Sequence, residues 1–414
     1  MTHTTALRPV APSARPDRLR VGHGGGFWVV AAAFGISLAF STMPTPLYGL
    51  YQQRDGFPTP VITVVFAAYA VGVVASLYLV GHVSDWFGRR PVILLALLAE
   101  ALAAVGFLTW PDLPGLLLAR LISGIGIGAV TATATAHLSE LRLVSRPGED
   151  VAHSGLIATV VNLGGLSLGP LVSGLLTAYV GRPLTTPFVV FLVLLLVSAI
   201  AITLVPETVV RLEERPAYRP QRVSLPAAAR PAFVGAALGA FAAMALSGLY
   251  MALAPTLLGQ LLHESSRLVG GLTTFSLLAA GALAQLVFAS KSTRSQLRIG
   301  LTLISVGLVA IPAAALAGSL WFFLVGGILA GAGLGLNFRA SVATAASLAE
   351  APQRGEVLAA LFLAAYVGLA IPAVLIGLAL IWEPSWAVLV AFAAIELVLV
   401  LWAGRRTLAA TVPA

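Results

Sequence analysis

The chain has 414 residues, 59% hydrophobic and only 10% charged, with a mean hydropathy of +0.97 and a formal net charge of +8. Soluble domains carry roughly 25% charged residues, so most of this chain is built for lipid. With no cysteine there are no disulfides, thiolate metal sites or thiol nucleophiles, and the six histidines show no metal-ligand spacing. No metal and no cofactor is therefore expected.

The first 26 residues are rich in Pro and Arg and read as a disordered tail. They do not read as a signal peptide, because the apolar run that follows is too long and no small-residue cleavage site ends it. A membrane-crossing helix needs about 20 apolar residues, and that criterion divides the rest into twelve spans. They are predicted at 27–50, 59–80, 91–110, 113–137, 154–179, 186–206, 232–257, 268–289, 299–318, 320–343, 355–381 and 385–403. The longest polar interruption, Glu207–Arg230, contains Glu213, Glu214, Arg215, Pro216, Pro220 and Pro226. It predicts a linker over 207–231 between a six-helix bundle at 27–206 and a second at 232–403, with 404–414 as a C-terminal tail.

Arginine placement predicts orientation, since positive residues in short loops stay on the cytoplasmic side. With the N-terminus inside, Arg54, Arg182 and Arg267 fall in outer loops, and the loops and tails on the other side carry the remaining loop cations. This predicts a multi-pass protein of the cell (inner or plasma) membrane with both termini in the cytoplasm. The positive excess then belongs beside anionic lipid headgroups and not on nucleic acid.

The halves echo each other. Gly124, Gly126 and Gly128 of span 4 recur as Gly331, Gly333 and Gly335 of span 10, an offset of 207. Pro170 in span 5 corresponds to Pro372 in span 11 at 202, and Leu47 and Gly49 correspond to Leu257 and Gly259 at 210. Three matches at nearly one offset favour a duplicated bundle.

Between spans 2 and 3 runs Gly81-His82-Val83-Ser84-Asp85-Trp86-Phe87-Gly88-Arg89-Arg90. Gly81 and Asp85 are one helical turn apart, so the small residue lets a neighbouring helix approach the acid. Asp85 is expected to accept hydrogen bonds from a helix N-terminus, that of span 11 near Gly355, and to pair with Arg89. Glu140, past the end of span 4, is an available third member. This loop reads as a conformational latch of Gly81, Asp85, Gly88, Arg89, Arg90 and Glu140, the bland alternative being an anchor at the headgroups.

Arg120 lies about seven residues inside span 4, on the order of 10 Å deep, where a guanidinium costs several kcal/mol unless it meets water or an acid. Glu100 of span 3, at matching depth, is the expected partner. The pair reads either as a proton-coupling device or as a permanently ionised strut. Glu396 in span 12 is the other acid at membrane depth, with nothing basic expected beside it. In span 5, Gly165, Gly169 and Pro170, followed by Gly174, predict a bent, closely packed helix; Pro44, Pro46 and Pro372 are further candidate kinks.

These stretches resemble the major facilitator superfamily. Gly81-x-x-x-Asp85-x-x-Gly88-Arg89-Arg90 is similar to its signature loop, and Arg120-x-x-x-Gly124-x-Gly126-x-Gly128 to its second motif. Gly165-x-x-x-Gly169-Pro170 with Gly174 resembles the motif of its drug–proton antiporters, with the last glycine displaced by one position, and Val205-Pro206-Glu207-Thr208 is also typical of the family. The resemblance covers about Phe27 to Arg406. It implies an all-α membrane fold of two pseudo-symmetric six-helix halves, with span 5 meeting span 8 across the interface and spans 1, 4, 7 and 10 lining a path. By that analogy Thr42, Tyr48, Asn162, Gln285, Asn337 and Tyr366 are the polar residues expected to face the cavity. So apolar a lining suits an amphipathic solute better than a sugar.

The reading is a non-enzymatic secondary transporter whose partners are a small-molecule substrate, protons and the lipid bilayer, sufficient as a monomer. Proton-driven export of drug-like compounds is expected; the alternatives are a symporter importing a small metabolite and, from another class, a membrane receptor or membrane-embedded enzyme. No G-x-x-x-x-G-K-[ST] loop is present, so ATP-driven export would require a separate subunit. A reporter fused to the C-terminus should signal from the cytoplasm, and a periplasmic signal would reject the even-span topology.

Overall fold

The computed structural model describes residues 21–80, 83–148, 151–209, 229–348 and 354–410. Lipid offers no partner for a backbone N–H or C=O, so each must be satisfied within its own helix. The described residues accordingly hold twelve helices long and apolar enough to cross a membrane. Span 1 is broken into a helix His23–Thr42, a single 3-10 turn Thr45–Leu47 and a short helix Tyr48–Asp55. The break falls at Pro44 and Pro46, which bring no N–H to the helix ladder.

Spans 2 to 6 are Thr59–Val80, Arg89–Thr109, Leu113–Ser145, Val151–Tyr179 and Thr186–Thr203, with a one-turn helix Ser84–Phe87 between spans 2 and 3. Spans 7 to 12 are Arg230–Leu262, Arg267–Val287, Thr293–Leu316, Leu320–Ser347, Arg354–Ala379 and Ser385–Ala410. Several run past their expected limits, span 4 to Ser145 rather than 137 and span 12 to Ala410 rather than 403. Apolar length measures only the part of a helix inside hydrocarbon, and hydrogen bonding carries these helices on through the headgroup zone. Arg406 stays on the helix with its guanidinium over the Trp402 ring at 4.3 Å. Most of the expected linker lies outside the described residues, as does Gly81.

The repeated glycines explain how each half packs. A Cβ on Gly124 would lie 2.1 Å from the Tyr69 carbonyl oxygen of span 2, and one on Gly128 would meet Val73 and Ser76 of the same helix. Gly126 turns instead to span 3, against Ala96 and Glu100. The second half repeats this: Gly331 and Gly335 press on Leu277 and Gly281 of span 8, while Gly333 presses on Gly300 and Ile304 of span 9. Two residues in three thus face one neighbour and the middle residue the other, so each central helix is clamped on two sides by backbone approach.

The halves meet mainly where span 5 crosses span 8 and span 2 crosses span 11. Pro170 and Pro372 are each inside a helix of these crossings. Gly174 lies against Arg267 and Gly271, and Gly377 against Thr63. Arg267 donates to the Thr177 carbonyl at 3.2 Å, and Thr256 to Gln52 at 3.5 Å. These contacts gather at the end opposite Glu207–Val209, hereafter the far end; the other is the linker end. Trp110, Trp321, Trp382 and Trp386 stand exposed at the far end and Trp28 and Trp402 at the linker end, marking two interfacial belts.

Gly124→Ala should destabilise the detergent-solubilised protein by about 1–3 kcal/mol, since its Cβ would press on unyielding backbone. Gly164→Ala, with open space around it, should leave the melting temperature unchanged or raise it.

Candidate functional site

At the linker end the chain reverses at Gly88, whose φ of 109° an L side chain rarely adopts. Span 3 starts at the next residue with unpaired N–H groups. The Glu207 carboxylate, from the end of span 6, accepts the amide hydrogens of Arg89 and Arg90 at 3.0 Å each. A carboxylate at a helix N-terminus meets both the orphan donors and the positive end of the helix dipole. Gly88 makes room for it, since a Cβ there would lie 2.7 Å from Glu207 Oε2.

The Arg89 side chain turns the other way. It donates to Asp85 at 2.6 Å, to Ser84 at 2.7 Å and to Glu140 at 2.9 Å. Thr208 donates to the second Glu140 oxygen. One arginine therefore ties the loop, span 4 and the start of the linker together. Gly88, Arg89, Asp85 and Glu140 come together as expected, Arg90 through its backbone. Asp85 pairs with Arg89, and its side chain is 60% exposed. The residues just before span 11 lie outside those described, and the acid that caps a helix here is Glu207.

At membrane depth, Arg120 and Glu100 are almost wholly inaccessible, at 1% and 0% exposure. The expected ion pair between them is not formed. Arg120 donates to the Ser41 carbonyl at 2.7 Å and lies over the Tyr69 and Phe66 rings at 4.6 and 5.8 Å. Glu100 Oε1 accepts from the Ser37 hydroxyl at 2.6 Å, while Oε2 is buried with no partner. Ser37 and Ser41 are one turn apart on span 1, so the same helix holds the two groups separately. Glu396 is 3% exposed, and its Oε1 has no hydrogen-bond partner.

The span 5 residues divide. Gly165 and Gly169 face span 1, against Gly35, Leu38 and Ala39, and Gly174 faces span 8 across the interface. Of the residues expected in the cavity, Thr42 is instead a packing residue, fully buried and bonded to the Leu166 carbonyl at 2.8 Å. Gln285 and Asn337 likewise bind their own half, donating to the Gly335 and Gly239 carbonyls at 2.9 and 3.3 Å. Small residues let these helices come so close that their few polar side chains find backbone oxygen first. Asn162 and Tyr366 are half-buried and Tyr48 is buried with an unpartnered hydroxyl. Tyr366 reaches the Tyr69 phenol, and so joins spans 11 and 2. A groove of about 470 Å³ lies elsewhere, between spans 3 and 4 on the outside of the bundle, with Trp86, Phe87, Leu95 and Ile125 among its walls.

Glu207, Thr208, His137, Ser37 and Ser41 were not singled out as site residues from the sequence. Val205-Pro206-Glu207-Thr208 was a visible signal for the first two; nothing in the pattern marks two serines one turn apart as partners of buried charges.

A family model described as Major Facilitator Superfamily matches residues 26–236. The tetracycline resistance protein, class C, of Escherichia coli is 33% identical over 151 residues, 36% of each chain. The class D tetracycline resistance protein of Salmonella ordonez is 32% identical over 193 residues, 46% of this chain and 45% of its own. The arabinose-proton symporter of Bacillus subtilis is 31% identical over 94 residues, 23% of this chain and 19% of its own. These stretches span less than half the length of the curated relatives. The crystal structure of the human organic anion transporter MFSD10 (TETRAN) superposes with a TM-score of 0.67 over 94% of this chain and 100% of that one, at 18% identity, which shows a shared fold.

Arg89→Lys keeps the charge but cannot reach Asp85, Ser84 and Glu140 together, so it should lower stability in a detergent melt by about 1–2 kcal/mol. Asp85→Asn should cost less than about 0.5 kcal/mol, as suits an exposed i,i+4 pair.

Proposed function

The chain belongs to the major facilitator superfamily, and from that membership we propose a proton-coupled exporter of drug-like or amphipathic small molecules that works by alternating access. Membership makes it a membrane transporter of small molecules and not an enzyme. In this reading the arginine-rich linker end lies in the cytoplasm, the closed far end faces outside, and the conformer is the inward-facing one. Exchange then consists of parting spans 5 and 8 and spans 2 and 11 at the far end while the linker end closes. Asp85, held on Arg89 but exposed, is the acid available to meet span 11 on closure. Gly81, Gly88, Arg89, Arg90 and Glu140 shape and hold that latch.

Glu100 carries the reading: a carboxylate sealed at membrane depth, with one oxygen on a neutral hydroxyl and the other unpartnered. An ionised carboxylate so placed needs a cation or water, and Arg120 is engaged with Ser41. Loss of the proton from Glu100 therefore requires span 1 to shift and admit one or the other. Because Ser37 and Ser41 ride on the same helix, that shift also alters the hold on Arg120. This supplies a coupling between proton release and helix position within a single chain, with Glu396 as the second candidate acid. The similarity to tetracycline resistance proteins of more than one class supports export; the stretch similar to an arabinose-proton symporter supports the second reading, proton-coupled import.

Everted vesicles with an imposed pH gradient, offered tetracycline, puromycin and arabinose in turn, distinguish the two. Gradient-dependent accumulation of an antibiotic is expected, competed by unrelated lipophilic compounds, since affinity comes from apolar area at roughly 25 cal/mol per Å². Glu100→Gln should abolish the pH dependence. Arabinose moving with protons while neither antibiotic moves would establish the symporter instead, and normal pH dependence in Glu100→Gln would make that residue structural.

A further inference from the structure

His137 takes no part in that proton cycle, yet it is fully buried in span 4, one turn from Glu140. Its Nε2 lies 3.1 Å from the Pro206 carbonyl oxygen. A carbonyl only accepts, so Nε2 carries a hydrogen and donates. Nδ1 is buried with no partner. Pro206 immediately precedes Glu207, whose carboxylate caps span 3 through the Arg89 and Arg90 amides. Span 1 closes the other side of Pro206, since a Cβ on Gly26 would lie 3.1 Å from both Pro206 and Val205. The ring thus fixes the backbone from which the capping carboxylate hangs.

The charges acting on His137 come from three elements: Glu140 on its own helix, Glu207 at the end of span 6 and Arg89 at the start of span 3. We infer that His137 is the positioning residue for Glu207 and a proton-sensitive pin of the joint between spans 3, 4 and 6: the neutral ring holds the joint and a second proton releases it. The reason is the orphaned Nδ1. Once protonated it becomes a buried donor without an acceptor, and the desolvation penalty of such a donor is larger still when it carries charge. The acceptors close by are carboxylates already engaged by Arg89 and the span 3 amides. A cationic ring satisfies itself only by turning from Pro206 to water or by competing with Arg89 for those acids, and either loosens the joint. The neutral form is the one that holds, so the joint is tight at neutral pH and loosens as the pH at the linker end falls through the titration of the ring.

Hydrogen–deuterium exchange of the peptide containing Arg89 and Arg90, measured on the full chain in detergent, reads the cap directly and needs no substrate. Pro91 has no amide, so it adds no exchanging hydrogen directly after the two capped ones. Glu207→Gln sets the level of a weakened cap. His137→Gln places an amide N–H near the position of Nε2 but takes no second proton; His137→Phe removes the donor. At pH 7.5 wild type and His137→Gln should protect the peptide equally, and His137→Phe should lose protection by about tenfold. At pH 5.5, corrected for intrinsic exchange, wild type should lose about tenfold and His137→Gln should lose none. Wild-type protection in His137→Phe would overturn the positioning role. Equal loss in wild type and His137→Gln on acidification would overturn the proton-sensitive role and put the proton on a carboxylate. Should His137→Phe fail to fold, the pH comparison with His137→Gln still decides. The result is independent of what is transported and of whether transport is proton-coupled.

Discussion

Inside a bilayer, two apolar helices gain nothing by leaving lipid for each other, so their association rests on how closely their backbones approach. Here that approach is concentrated in two glycine triplets. Span 4 and span 10 each turn alternate glycines to two neighbours, and a single methyl at Gly124, Gly331 or Gly335 would strike a carbonyl oxygen. With span 4 held in this way, Arg120 is delivered to span 1 at mid-depth, while His137 and Glu140 are delivered beneath the loop between spans 2 and 3. Both candidate sites are consequences of where one helix is clamped.

The charges follow two different economies. At mid-depth each is held apart and satisfied only in part by neutral groups: Arg120 by a carbonyl and two ring faces, Glu100 by one hydroxyl, with its second oxygen unpartnered. Cation–π contact over a desolvated ring contributes on the order of 2 kcal/mol, enough to matter against a burial cost of several. At the linker end the same chemical types are pooled. Arg89 serves two acids at once and a third acid holds a helix terminus, so no contact there changes without its neighbours. The first arrangement suits a group that changes protonation alone; the second suits one that changes position as a unit.

Helix number and the two-half repeat were legible because both follow from apolar length and glycine spacing, which lipid enforces segment by segment. The cluster at the linker end was half legible. Gly88, Arg89 and Glu140 lie near the loop in sequence or just past a predicted span, whereas Glu207 reaches it only because span 6 ends beside span 3. The Arg120–Glu100 pair failed for a related reason: equal depth was visible, but not that span 1 would offer each residue a partner of its own. Thr42, Gln285 and Asn337 looked like cavity residues because polarity in an apolar helix suggests a ligand, and close packing offered them carbonyls instead.

Trp386 and Trp402, at opposite ends of span 12, are sixteen residues apart, a rise of about 24 Å along a straight helix. A typical hydrocarbon core is about 30 Å thick. The two indole belts therefore grip a slab thinner than the average membrane, and a thicker one must compress around the protein or pull its helix ends outward. The far-end crossings, where Gly174 meets Gly271 and Gly377 meets Thr63, lie at the level where that mismatch is felt. Acyl-chain length thereby becomes a mechanical input to the closure between the two halves.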